Sequence, residues 1–223
     1  TDTWYYHRSL VLLSKIAGVL KKQDDKETYE KAAKDVEDSF NRHFFEKDHY
    51  GLGSQTSNAL ALYAGFAKGD DRDRVVKSLV HDVESDHDSH LNTGIIGTRY
   101  LFDVLCDAGR GDLAYAILLR PSYPGYGYMV REGATTLWER WELLTADSMN
   151  SHNHIMFGSV DSWLYRYVGG IRADEEEPGF SHVIFRPEVM KGKRAATSIM
   201  SIRGKISFQW EIVGRKLRVG VHL

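Results

Sequence analysis

The residues best suited to chemistry lie between positions 123 and 163 of the 223-residue chain. Glu139 stands there between Trp138 and Arg140, and Trp141 follows one position later. A carboxylate flanked by aromatic rings suits carbohydrate chemistry, because the rings stack on the C–H faces of a sugar while the carboxylate acts as acid or base at the anomeric carbon. The same four residues also fit an aromatic core in which Glu139 pairs with Arg140 or another cation. Residue types alone leave both interpretations open.

A second group of polar side chains, rich in histidine and aspartate, lies between residues 81 and 90. Such side chains supply nitrogen and oxygen ligands to metal ions, but their spacing matches no standard zinc signature. Loops between helices are commonly rich in aspartate, so the pattern predicts no metal site and no cofactor. His90 remains a candidate for a binding site or for a helix cap. The single cysteine, Cys106, lies in an apolar stretch and is expected to fill core space.

Charge and apolar content exclude several classes of protein. The 29 Lys and Arg residues against 31 Asp and Glu residues give a formal net charge of −2, without the basic surplus of a nucleic-acid binder. Hydrophobic residues make up 42% of the chain, which is enough for a sizeable core. No apolar run approaches the roughly 18 to 20 residues that span a bilayer. We therefore expect neither a nucleic acid nor a membrane as partner.

Proline placement and apolar spacing predict that the first part of the chain is helical. All four prolines lie beyond residue 120, so nothing earlier forbids helix interiors. Between residues 3 and 21, apolar residues recur at steps of three and four, namely Tyr6, Leu10, Leu13, Ala17 and Leu20. Similar patterns predict helices at 26–46, 54–66, 71–84, 92–106, 111–119 and 151–168. Apolar and charged helices alternate, which indicates helical hairpins with an inner apolar layer and an outer, half-solvated layer.

The later inner helices each open with several polar residues. Ser, Gln, Thr and Asn fill positions 54–58, and similar runs are formed by His90, Asn92, Thr93 and Gly94 and by residues 151–154. One capping residue is enough to satisfy free amides at a helix start. The surplus therefore predicts a polar ligand site where the inner helices begin.

The character of the sequence changes after the glycine pair at 169–170. An acidic loop follows, and apolar stretches at 183–185, 206–210 and 217–221 predict strands from about residue 180 onward. Three or four strands make a poor independent domain, so they are expected to pack on the helices or to be part of a longer sheet. The sequence thus predicts a helical part over 1–170 and the start of an antiparallel β-sandwich over 171–223.

Several motifs together resemble the bacterial α-L-rhamnosidases of glycoside hydrolase family 78. The string GATTLWERW at 133–141 is the most distinctive of them. Further matching strings are YGYM at 126–129, HLNTGIIGT at 90–98, DAG at 107–109, NH at 153–154, FGSV at 157–160, WLY at 163–165, PGF at 178–180 and RP at 186–187. The resemblance covers nearly the whole chain, and the combination is highly specific.

The resemblance implies a mainly α fold, part of an (α/α)6 toroid of helical hairpins, followed by a partial antiparallel β-sandwich. It also implies hydrolysis of terminal α-L-rhamnosyl bonds by an inverting mechanism. By resemblance Glu139 is the general base that activates water, and His154 contacts the sugar. Trp138 and Tyr128 are expected to line the sugar pocket, and His90 to face its mouth.

The family's general acid lies in an upstream acidic segment that these 223 residues do not contain. We therefore expect the chain to be the C-terminal part of a larger enzyme, to be inactive alone, and to have the remainder of that polypeptide and a rhamnose-containing glycoside or polysaccharide as partners. Two alternatives remain open at this stage. One is a noncatalytic carbohydrate-binding protein, and the other is an (α/α)6 glycosidase that acts on a different sugar.

Overall fold

The computed structural model describes residues 1–143, 151–189 and 193–223. Residues 144–150, which belong to the aromatic window, lie outside the described residues, as do 190–192. The chain divides into two compact units, Thr1–Val104 and Leu105–Leu223. Within the described residues, no helix combines the length and the apolar character needed to cross a membrane.

The first unit is built of helices. In chain order they are α1 (Asp2–Val19), α2 (Gln23–Phe44), α3 (Gln55–Tyr63), α4 (Gly69–His81), a π-helical turn (Asp82–Asp86) and the greater part of α5 (Ile95–Asp107). The predicted helix at 26–46 ends early, because β1 (Phe45–Glu46) and β2 (His49–Tyr50) form a small antiparallel hairpin. The other helices of this unit were predicted to within a few residues.

The core of the first unit gathers around Trp4. Its indole Nε1 donates to the Leu60 carbonyl at 2.6 Å, and its ring lies 4.8 Å from that of Tyr100. The buried members of this cluster come from α1, β2, α3, α4, α5 and the loop after α3: Trp4, Tyr50, Leu60, Ala61, Phe66, Ala67, Val75 and Tyr100. Burial of these side chains ties α1 to α3 and α4.

Helix α1 buries only part of the predicted apolar stripe, namely Leu10 and Ala17. Its buried residues are Trp4, His7, Leu10, Ser14 and Ala17. Tyr6, Leu13 and Leu20, predicted to face the core, are exposed. These three residues were misplaced because α1 is apolar on both sides: the exposed side also carries Leu12, Ile16 and Val19.

The second unit has shorter helices and more loop. They are α6 (Gly111–Leu119), α7 (Tyr126–Arg131), a 3-10 turn (Ile155–Gly158), α8 (Ser159–Trp163) and a π-helical turn (Leu164–Val168). The helix predicted at 151–168 therefore begins at residue 155, four residues later than predicted. It passes from a 3-10 turn through α-helix to a π-helical turn. Helix α7 was not predicted, since it lies in a stretch rich in Pro and Gly. Gly127 permits it, because a Cβ there would lie 2.8 Å from the carbonyl carbon of Arg120.

Five antiparallel strands complete the second unit. β3 (Ile171–Ala173) pairs with β4 (Val183–Phe185), and β5 (Arg194–Ser201), β6 (Gly204–Val213) and β7 (Lys216–His222) form a three-stranded sheet in that order. Ile206, Phe208 and Trp210 alternate along β6 and are buried against Ile171. The strands predicted at 183–185, 206–210 and 217–221 correspond to β4, β6 and β7, whereas β3 and β5 were not predicted.

A glycine pair joins the helical segment to the strands. A Cβ on Gly169 would collide with Thr197 of β5, and one on Gly170 would lie 2.8 Å from the Pro187 nitrogen. Gly170 also has a φ of +81°, which a residue with a Cβ rarely adopts. Nearby, Trp210 Nε1 donates to the Val168 carbonyl at 2.9 Å. The strands thus pack directly on the end of the π-helical turn.

Candidate active site

Two irregular segments of the second unit lie side by side at the candidate site. The Glu139 amide donates to the Ser151 carbonyl at 2.8 Å, and the His154 amide donates to the Leu137 carbonyl at 2.8 Å. The Thr136 hydroxyl donates to the His152 carbonyl. These three hydrogen bonds hold residues 136–139 against residues 151–154, although residues 140–150 separate the two stretches in sequence.

The Glu139 carboxylate is half-buried and is held by the same pairing. The Ser151 amide donates to Glu139 Oε2 at 3.0 Å, so the backbone and the side chain of Glu139 both contact Ser151. In the part of the chain that the structure describes, no ion pair joins Glu139 to Arg140, whose side chain is exposed. The ion-pair interpretation of this segment is therefore not supported.

Trp138 is the centre of one aromatic group at the site. Its ring lies 6.3 Å from that of Tyr128, nearly perpendicular to it, and 5.2 Å from the imidazole of His152. Tyr128 is half-buried and in turn contacts Tyr123 edge to face at 5.4 Å. We call these four residues the Trp138 cluster. Trp138 itself is only 3% exposed, so Tyr123, which is 50% exposed, together with Tyr128 and His152, offers surface to a ligand.

Trp141 belongs to a separate, buried group. Its ring stacks on Phe157 at 3.8 Å and meets Tyr126 edge to face at 5.1 Å. The Tyr126 hydroxyl donates to the Phe157 carbonyl at 2.7 Å, and burial raises the pKa of that hydroxyl, so it remains a donor. Trp141 therefore acts as core, and it fixes the 3-10 turn that follows His154.

His154 directly precedes the 3-10 turn Ile155–Gly158 and is half-buried. Its backbone bond to Leu137 places it two residues from Glu139 along the paired segments. Tyr128, Trp138, Glu139 and His154, all predicted as site residues, thus lie in one neighbourhood of the second unit.

His90, the fifth predicted site residue, lies in the first unit. Its Nδ1 is 2.9 Å from the His87 carbonyl, and its own carbonyl accepts from Gln55 Nε2 at 3.2 Å. The His90 ring is half-buried, and its role in binding stays a prediction.

The polar residues at the start of α3 have structural roles. Ser54 caps the helix by accepting from the Ser57 amide. Gln55 and Asn58 are fully buried: Gln55 contacts the backbone of His90 and Asn92, and Asn58 binds Tyr50 N and Gly53 O. Ser54, Gln55 and Asn58 are therefore used for folding, and a ligand site at this run stays a prediction.

Two contributors to the site carry no signal in the residue types. Ser151 acts through its backbone amide, which any residue except proline supplies. His152 lies against Trp138, a contact that depends on the pairing of distant segments. Among the described residues, no group of three or more His, Cys, Asp or Glu side chains is arranged to hold a metal ion.

Comparison with models of protein families shows which family the chain belongs to. The family model of the bacterial α-L-rhamnosidase 6 hairpin glycosidase domain matches residues 1–168, and that of the bacterial α-L-rhamnosidase C-terminal domain matches residues 170–223. The chain belongs to the bacterial α-L-rhamnosidase family. An α-L-rhamnosidase of Alteromonas sp. (strain LOR) is 33% identical over 99% of this chain, and one of Formosa agariphila is 31% identical over 96%.

Solved structures of α-L-rhamnosidases resemble the chain along almost all of its length. The enzyme from Dictyoglumus thermophilum has a TM-score of 0.91 and 43% identity over 95% of this chain. The Streptomyces avermitilis α-L-rhamnosidase complexed with L-rhamnose has a TM-score of 0.90 and 29% identity over 97%. These matches confirm the predicted class of helical hairpins followed by a partial β-sandwich.

The α-L-rhamnosidases that match are much longer than this chain. The chain spans about a quarter of the length of the Alteromonas and Formosa relatives, at 25% and 24%. It covers 24% of the Dictyoglumus chain and 21% of the Streptomyces chain. The match is to one part of a larger polypeptide.

Proposed function

We propose that the polypeptide containing this chain hydrolyses terminal α-L-rhamnosyl bonds with inversion, and that Glu139 is its general base. The observation that carries the proposal is the half-buried Glu139 carboxylate, which accepts from the Ser151 amide where the segment that carries Trp138 pairs with the segment that carries His154. Relatives and structural neighbours named α-L-rhamnosidase, one of them complexed with L-rhamnose, support the choice of sugar.

In the proposed reaction, Glu139 takes a proton from water as the water oxygen attacks the anomeric carbon. The glycosidic C–O bond breaks on the opposite face, and a general acid protonates the departing oxygen. Inverting enzymes keep these two carboxyl groups about 6.5–9.5 Å apart, which leaves room for the water. We place the acid in another segment of the longer polypeptide, so this chain alone is expected to be inactive.

Tyr128 and His154 are proposed to contact the sugar, and Trp138 to support Tyr128 from beneath. The near-perpendicular packing of Tyr128 on Trp138 fixes the angle of the phenol ring. A role for His90 in sugar binding is proposed from the resemblance alone.

The exposed side of α1 supports the proposal that the chain works within a larger polypeptide. Val19, Leu20 and Tyr6 are 81%, 61% and 57% exposed, and Ile16 is 53% exposed. Contiguous exposed apolar surface on a helix marks a contact face. Part of the remaining polypeptide is therefore expected to cover α1.

The test is hydrolysis of an aryl α-L-rhamnoside by the complete polypeptide, wild type beside Glu139→Gln. Loss of a general base is expected to lower kcat by about 10²–10⁴-fold, with L-rhamnose binding retained. Glu132→Gln is the matched control, because Glu132 is an exposed carboxylate paired with Arg131.

Azide identifies the role of Glu139 within the mechanism. In Glu139→Ala, azide needs no base, so it is expected to restore turnover and to yield the inverted β-L-rhamnosyl azide. Unchanged hydrolysis by Glu139→Gln would refute the base assignment. L-rhamnose binding without hydrolysis by any protein would favour a noncatalytic binding protein, and release of another monosaccharide would favour a different glycosidase.

A further inference from the structure

Ser151 contacts Glu139 at two points. Its carbonyl accepts from the Glu139 amide at 2.8 Å, and its amide donates to Glu139 Oε2 at 3.0 Å. The first contact fixes the backbone of Glu139, and the second fixes the rotation of its carboxylate. One residue thus determines both where the carboxylate is and which way it faces.

The position of the Ser151 amide is itself fixed by its surroundings. The Ser151 hydroxyl accepts from the Asn153 amide at 3.2 Å, which closes a tight local turn. Beyond that turn, the bonds from Thr136 to His152 and from His154 to Leu137 hold the segment in place. The segment that carries the amide is therefore held against the segment that carries the carboxylate.

We propose that the backbone amide of Ser151 is a positioning group for the general base, holding Oε2 so that Oε1 faces the attacking water and takes its proton. The inference rests on the proposed function of Glu139. A hydrogen bond from an amide to a carboxylate is charge-assisted and directional, so it restricts the carboxylate to one orientation. Misplacement of a reacting group by about 1 Å lowers rates by about 10²-fold.

The test compares Ser151→Pro with Ser151→Ala in the complete polypeptide. Both variants lose the hydroxyl, and only proline also loses the N–H. The kcat of Ser151→Pro is expected to fall about tenfold or more below that of Ser151→Ala, while KM for an aryl α-L-rhamnoside stays similar. Equal kcat values for the two variants would overturn the proposal.

Azide rescue separates positioning from a general structural effect. Azide-dependent turnover of Glu139→Ala does not use the carboxylate, so adding Ser151→Pro is expected to leave that turnover unchanged. A parallel fall in the rescued rate would show that proline damages the site as a whole, and would count against the proposal. If Glu139→Ala is neither impaired nor rescued, the assignment of Glu139 as base fails. That outcome differs from equal kcat values for Ser151→Pro and Ser151→Ala, which would refute only the positioning role of the amide.

A backbone ester provides a second way to remove the N–H. Replacing residue 151 with the α-hydroxy acid counterpart of serine removes the donor and keeps the side chain. If Ser151→Pro does not fold, as judged by loss of L-rhamnose binding, the ester variant is compared with wild type. A fall of about tenfold or more in kcat supports the proposal, and an unchanged kcat refutes it.

Discussion

Two polar runs, at residues 54–58 in the first unit and 151–154 in the second, have similar composition and opposite uses. In the first run, Gln55 and Asn58 are fully buried and bind backbone groups with their side chains. In the second, the side chains are largely exposed and the backbone makes the bonds, to Leu137 and Glu139.

The difference separates polar residues that build the fold from those available to a ligand. A side chain that binds backbone groups and is 0% exposed, like those of Gln55 and Asn58, cannot contact a sugar, because it offers no surface to a ligand. When the backbone holds a segment instead, its side chains can face solvent. The second run is therefore the better candidate for a binding site.

The largest effect expected from this contrast concerns two asparagines. Asn58→Ala removes two hydrogen bonds and leaves Tyr50 N and Gly53 O without those partners, so it is expected to lower the free energy of unfolding by about 2–4 kcal/mol. Asn153→Ala alters an exposed side chain and is expected to change stability by less than about 0.5 kcal/mol. Urea unfolding of the complete polypeptide measures both. Equal losses of the free energy of unfolding in the two variants would contradict the contrast between the two polar runs.

A smaller effect is expected from His154 on activity. His154→Ala should lower kcat/KM for an aryl α-L-rhamnoside by about tenfold, or 1.4 kcal/mol, because one sugar contact is lost. The urea midpoint should not move, since the bond to Leu137 comes from the backbone. His222→Ala, an exposed histidine on β7, is the control. A fall in stability matching the fall in activity would place His154 with the structural residues.

The smallest effect expected is a difference in pH response between histidines of the two units. Burial against Phe66 lowers the pKa of His7, with Glu37 opposing, so the unfolded chain takes up a proton more readily as the pH falls below about 6.5. The contribution of the His7 burial to the free energy of unfolding is thus present above that pH and is lost as the pH falls. A hydrogen bond to Asp174 raises the pKa of His182. The stability that this bond contributes has the opposite pH dependence: it is present at low pH and is lost as the pH rises.

Urea unfolding at about pH 7 and about pH 5 tests this sign. The loss of stability between the two is expected to be smaller in His7→Leu than in wild type, because leucine takes up no proton. An equal loss in both proteins would show that other groups account for the acid response.

The sequence predicted the helical elements better than the strands, for local reasons. Helices α1 to α6 carry apolar spacing or charge patterns over nine residues or more, which a period of 3.6 makes visible. The hairpin of β1 and β2 has strands of two residues and turns at Lys47, a residue type that does not signal a positive φ. Strand β5 alternates, but Ile199 is its one large apolar inward residue, and the other inward residues, Ala195, Thr197 and Ser201, are too small or polar to stand out.

The candidate site could be predicted only as far as its side chains go. Glu139 and Trp138 are adjacent in the chain and belong to one distinctive string, so their neighbourhood was visible. The partners of that string, Ser151 and His152, are brought to it by backbone hydrogen bonds between distant segments. Residue types do not encode such a pairing, because every residue has a carbonyl and nearly every residue has an amide.

The glycine pair at 169–170 bears on how this chain can be divided or rearranged by recombination. The border between the two family domains falls there, with one matching to residue 168 and the other from residue 170. Such borders are usually exposed linkers that tolerate insertion. Here any side chain would meet Thr197 or Pro187, so an exchange of the β part must retain the glycines and the surfaces that face them. The helical and β parts are therefore expected to be inherited together.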